Sequence, residues 1–176
     1  MSVLVVFESM YGNTEAIARG IAAGLADRAA VRIQEVGAAP AAIPDDVELL
    51  VVGGPTHAFG MSRESTRRDA AQRTSEALVS PGIGVREWLD ALPKLSREVA
   101  ATAFDTRIAK PRVPGSAARG ADRRLRALGF RRIAPRSFYV GDTTGPLSEG
   151  EVERARQWGQ RLAQELTSGG PRQRIG

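Results

Sequence analysis

Apolar residues fall in short bursts separated by helix-spaced polar stretches, and this alternation predicts an α/β chain. Val3-Leu4-Val5-Val6-Phe7 is a continuous apolar, β-branched run that stops at Glu8-Ser9, as a strand buried on both faces reads. Asn13 to Asp27 follows with Ile17, Ile21 and Leu25 on one helical face, and Gly20 and Gly24 leave room for close packing. Val31 to Val36 predicts a second, weaker strand. A Pro/Ala-rich link leads to a third at Val47 to Val52, closed by Gly53-Gly54-Pro55. Residues 56–82 have no clean periodicity and read as a long loop with room for one helical stretch. Val85 to Leu92 predicts a helix with Trp88 and Leu89 inward, and Val99 to Phe104 a fourth strand. Ser116 to Leu128 predicts a helix stopped by Gly129, and Arg132 to Val140 a fifth strand. Ser148 and Glu151 are spaced as a capping box. An apolar stripe of Val152, Ala155, Trp158 or Gly159, Leu162 and Leu166 follows it. Residues 169–176 read as a flexible tail behind a single domain spanning 1–168.

Such alternation implies a five-stranded parallel sheet, doubly wound, in a three-layer α/β/α arrangement. Ligands of these sheets bind beyond the carboxyl ends of the strands, near the topological switch point. The segments to read for function therefore begin at Ser9, Gly53, Phe104 and Val140.

Composition narrows the chemistry. The 176 residues suit one core, and no apolar run approaches the roughly 20 residues of a membrane span. The chain enters its first strand at once, so a soluble cytoplasmic protein is expected. The absence of cysteine removes disulfides and thiol nucleophiles, and one histidine, His57, argues against zinc. The net charge of +5 comes from 23 Arg and two Lys against 20 acids. Arginines concentrate around Arg63 to Arg73 and Arg119 to Arg132, the second group interrupted by Leu125, Leu128 and Phe130. That is the pattern of a solvated helix face, and no nucleic-acid partner is expected.

Ser9-Met10-Tyr11-Gly12-Asn13-Thr14 joins a buried strand to a helix N-terminus, where unpaired N–H groups and the helix dipole suit an anion. Ser9 and Thr14 add hydroxyls, Gly12 allows close backbone approach, and Asn13 can hold a turn or donate its amide. The segment contains neither a Walker lysine nor G-x-G-x-x-G. A monophosphate fits, and an ordinary capped turn fits as well.

S-M-Y-G-N-T resembles the phosphate loop of the flavodoxin family, usually S/T-x-T-G-N-T, with Tyr11 replacing a threonine. Gly53-Gly54-Pro55-Thr56-His57-Ala58-Phe59-Gly60 is similar to the G-x-P-T-x-F-G flavin loop of the family's quinone-reductase branch, with one extra residue before Phe59. Phe104-Asp105-Thr106-Arg107 corresponds by position to the third flavin loop. The resemblance implies strand order 2-1-3-4-5 and bound FMN. It implies contacts from Ser9 to Thr14, from Pro55, Thr56, His57, Phe59 and Gly60, and from Phe104, Asp105, Thr106 and Arg107. Phe59 or His57 would face the ring. Gly60 would ease the family's peptide flip toward the reduced ring N–H. Where the family's carriers are acidic, this chain is basic, and His57, Arg63 and Arg107 beside the flavin would favour its anionic reduced form. The implied role is electron transfer with a partner protein, or reduction of a small acceptor such as a quinone. A flavodoxin-fold binding or regulatory module that has lost FMN is the alternative. No acid–base catalyst beyond the flavin stands out.

Overall fold

A computed structural model describes residues 1–57, 60–109 and 114–168. One parallel sheet is built from β1 (Ser2–Phe7), β2 (Ala30–Glu35), β3 (Leu49–His57), β5 (Ala100–Ile108) and an edge made of β6 (Arg131–Arg132) and β7 (Arg136–Val140). Its order is β2-β1-β3-β5 followed by the β6/β7 edge, so the chain winds outward in both directions from β1. The expected three-layer fold and strand order are present.

The fifth expected strand is interrupted. Ala101 pairs with Arg132 but Phe104 pairs with Arg136, so the edge strand carries one more residue than its neighbour between these points. Pro135 lies in the gap and has no N–H for the ladder. The buried hydroxyl of Thr102 donates to the Ala134 carbonyl there, at 3.2 Å.

Alternate strand residues divide the core. Val3, Val5, Leu49, Val51 and Phe104 pack beneath α1 (Asn13–Leu25) and α5 (Glu151–Ser168). Leu4, Val6, Leu50, Val52 and Ala103 pack beneath α3 (Val85–Ala91) and α4 (Ala117–Ala127). Helices α1 and α5 meet backbone to backbone: a Cβ on Gly24 would stand 1.9 Å from the Arg156 carbonyl oxygen, and one on Gly159 2.2 Å from that of Ile21. Glycine is required at both points.

Three local expectations change. The capping box does not form, because the Glu151 carboxylate turns to accept the Tyr139 N–H of β7 at 2.7 Å and pairs with Arg154. Val152 does not join the stripe; it is 47% exposed. The 56–82 stretch holds a hairpin of β3 with β4 (Gly60–Met61), then α2 (Glu64–Gln72). Helix α2 is the one helical stretch for which the segment had room; it buries only Arg67 and Ala70, so no apolar stripe marked its bounds. The expected tail 169–176 lies outside the described residues. Among the described residues no helix is long and apolar enough to cross a membrane.

Candidate functional site

A cleft of about 340 Å³ opens at the carboxyl ends of β1, β3, β5 and β7. Its position follows from the topology, since the connections leaving the paired strands β1 and β3 run to opposite faces of the sheet at this switch point. One wall is the turn between β1 and α1, where Ser9, Met10, Tyr11, Asn13 and Thr14 face the space. Pro55, Thr56 and His57 close a second side, and Thr106, Arg107 and Ile108 a third. Helix α2 supplies Thr66, Asp69 and Ala70, the residue capping its C-terminus is Arg73, and the end of β7 and the segment after it supply Val140 and Thr143.

The turn is folded to present donors. Gly12 takes φ +91°, a left-handed conformation that an L side chain resists, and its N–H donates to Ser9 Oγ at 3.1 Å. That bond occupies a lone pair of Ser9, which is buried, and among the described residues its O–H meets no acceptor. Among the described residues no acceptor meets the N–H of Met10, Tyr11, Asn13, Thr14 or Glu15. Helix α1 therefore begins without a side-chain cap, with several amides and its positive dipole end near the cleft. The backbone behind is fixed: the N–H of Ser9 donates to Ser80 Oγ at 3.0 Å, and Ser80 N–H returns to the Ser9 carbonyl at 2.8 Å.

The other residues of the turn have separate work. Asn13 donates its amide to the Thr144 carbonyl at 3.2 Å and so braces the 141–147 segment against α1. Thr14 and Thr106 share a buried hydroxyl–hydroxyl bond of 2.7 Å that ties α1 to β5. Tyr11 reaches to α2 and donates its phenol to the Ala70 carbonyl at 2.9 Å.

Residues 104–107 are not a loop, because β5 continues to Ile108 and its residues alternate between faces. Phe104 is turned inward, 1% exposed, over Gly53 and edge-on to Phe138 with centroids 6.3 Å apart. It serves the core and does not line the cleft. Asp105 points to the opposite face, where Oδ2 accepts from Thr56 Oγ1 at 3.0 Å, Ser116 Oγ at 2.5 Å and the Ala118 N–H at 3.0 Å. Its carboxylate fixes the start of α4 and does not reach the cleft surface. Thr106 and Arg107 do line it. Gly60 pairs with His57 and borders a neighbouring cavity. Phe59, expected against a ring, lies outside the described residues.

His57 departs from its expected charge. Burial, with the Arg67 cation nearby, lowers its pKa to about 4, so the imidazole is neutral at pH 7.

The sequence reading missed a buried network at the β3 side of the cleft. Glu8 is 1% exposed; its Oε1 accepts from Ser62 Oγ, and Oε2 from the Val85 N–H at 2.8 Å. Arg67 donates to Ser62 Oγ at 2.9 Å and to Glu87 Oε1 at 2.9 Å. Burial raises the Glu8 pKa, and the Ser62 and Val85 bonds and the Arg67 charge only partly oppose it. The available signal was an acidic residue directly after five apolar ones at a strand's end.

No protein-family model and no curated protein matches this chain. Solved structures do match its fold. A flavodoxin from the domain Archaea aligns over 95% of this chain and 99% of its own at 16% identity and a TM-score of 0.62. Oxidised flavodoxin 1 from Bacillus cereus aligns over 94% and 99% at 16% identity and 0.65. A flavodoxin, WrbA-like protein from Agrobacterium tumefaciens aligns over 95% and 98% at 17% identity and 0.51. The fold is flavodoxin-like.

Proposed function

We propose that the chain, as one domain over 1–168, binds FMN in the cleft and serves as a redox protein. The observation that carries this is the β1–α1 turn: the unpartnered amides of Met10, Tyr11, Asn13, Thr14 and Glu15 lie at the N-terminus of α1 beside a strand-end cleft that Ser9 also borders. Backbone donors at a helix N-terminus suit a phosphate monoester. The cleft lies within the size range of small-ligand sites, and Met10, Tyr11, Pro55 and Ile108 offer apolar surface to a planar ring system. FMN, when bound, accepts and donates one or two electrons; the protein's part is binding and tuning.

Tuning follows from the charges. Arg73 and Arg107 line the cleft and favour an anionic reduced cofactor, Asp69 opposes them, and neutral His57 adds nothing. Helix α2 covers one side and limits access to ligands that enter beside it. This favours a small acceptor or a narrow partner contact.

The test is reconstitution. Purified protein mixed with excess FMN and desalted is expected to retain one equivalent and show flavin absorbance. A preparation that stays colourless contradicts the proposal and leaves the flavin-free module.

A further inference from the structure

A second cavity, of about 500 Å³, lies on the far side of His57 from the cleft. Its walls come from the β3–β4 hairpin, the start of α2, α3 and the first turns of α4. Arg63, Arg86, Arg119, Arg123 and Arg124 all line it, and no carboxylate does among the described residues. Five cations from three elements, the α2 N-terminus, α3 and α4, face this one concavity, so the exposed arginine face of α4 is one wall of a larger basic site.

These arginines are incompletely neutralised. Arg124 pairs with Asp90 at 2.6 Å, and Arg86 spends its donors on the Met61 and Ser62 carbonyls at 2.8 and 3.1 Å. Among the described residues Arg63, Arg119 and Arg123 form no ion pair. Burial, followed by the neighbouring Arg124 and Arg63 charges, lowers the Arg86 pKa, as expected where cations crowd one another. The α4 N-terminus contributes little, because Thr56, Asp105 and Ser116 already hold the amides of Ala117, Ala118 and Arg119. The anion-binding capacity therefore rests on guanidinium groups, whose planar forks match phosphate oxygens.

Gly60, Gly115 and Gly120 keep parts of the wall free of side chains. The space exceeds a single phosphate, and its concave form suits a small molecule better than a flat protein surface does. His57 and Thr66 border both cavities, so a ligand anchored in one has a short path to the other.

We infer that the arginine-lined cavity binds two linked phosphate groups, as an inorganic or organic diphosphate presents them. Nothing in this inference requires the cleft to hold FMN.

Calorimetric titration of the full chain with ADP, inorganic pyrophosphate and inorganic phosphate, at low salt, tests it. Each titration is run before and after FMN loading, and on R119Q/R123Q. ADP and pyrophosphate are expected to bind at one site, more tightly than phosphate, and equally well with FMN present. Both changed side chains are exposed on α4, so the fold is expected to survive. Loss of two guanidinium–phosphate contacts is expected to weaken both ligands about tenfold or more. Unchanged affinity in R119Q/R123Q overturns the inference. So does binding that disappears on FMN loading, which would place the anion on the β1–α1 turn. Phosphate binding as tightly as pyrophosphate refutes the diphosphate assignment. A poly-glutamate peptide that binds through Arg119 and Arg123 where ADP does not would make this an acidic-partner surface instead. Failure of FMN to bind at all would sink the proposed function and leave this test intact.

Discussion

The phenol of Tyr11 donates to the Ala70 carbonyl across 2.9 Å, joining the β1–α1 turn to α2. This contact accounts for the one departure in the turn from the S/T-x-T-G-N-T pattern. A threonine at that position is too short to reach α2, and this chain has a helix there to be held. Tyr11 and α2 therefore work as a unit, with the aromatic side chain as the strut and the helix as the wall. Arg67 anchors the same helix to α3 through its 2.9 Å pair with Glu87.

Removing the Tyr11 hydroxyl isolates that strut. Tyr11→Phe is expected to cost about 1 kcal/mol, the net worth of one partly buried hydrogen bond. The loss should be local. Hydrogen exchange of amides in 64–72 should accelerate in the variant while β1, β3 and β5 keep their protection. Unchanged exchange in α2 would show that Arg67 alone holds the helix.

His57 contributes a pH dependence in acid. Its unfolded imidazole takes a proton near pH 6.5, but the folded one resists until about pH 4. Between these values the unfolded state binds more protons, so stability falls as pH falls through that window. The full effect is about 3 kcal/mol. Urea unfolding from pH 7 to 4 should show this loss in the native chain and not in His57→Gln. Parallel pH profiles for the two proteins would contradict the buried neutral imidazole.

Glu8 acts with the opposite sign. Burial holds its folded pKa above the ordinary value of 4.5, so folding favours the neutral acid more than the unfolded chain does. The stability it contributes is complete below pH 4.5 and is lost as pH rises through the folded value. Glu8→Gln cannot ionise, so the native chain should lose stability relative to this variant as pH increases above 4.5. Unfolding curves collected from pH 4 to 8 decide it; a constant difference would mean that Arg67 and Ser62 fully compensate the charge.

The elements legible in the sequence were those whose burial is simple. Val3 to Phe7 and Leu49 to Val52 are buried on both faces and read as strands without context. Asn13 to Leu25 showed its apolar face and its glycine contact with α5. The reading failed where polar groups are buried in company. Asp105 looked like a loop residue because a lone aspartate rarely belongs in a strand, but its Oδ2 accepts from three donors of β3 and the start of α4, while Oδ1 is buried without a partner among the described residues. Arg67 and Glu8 are buried for the same reason, and their partners are separated by up to 77 residues. Such pairings have no local periodicity to reveal them. Phe104 failed differently: resemblance set it beside the flavin, while the alternation of β5 turns it into the core over Gly53.

The central claim is that the amides around Gly12 and the Ser9 hydroxyl grip a phosphate, and comparing FMN with riboflavin in calorimetry on the FMN-free chain tests it most directly. The two ligands share the ring and differ in the phosphate. FMN should bind about tenfold or more tightly than riboflavin, with the advantage reduced in Ser9→Ala. Equal affinity for the two, or no heat from either, would contradict it.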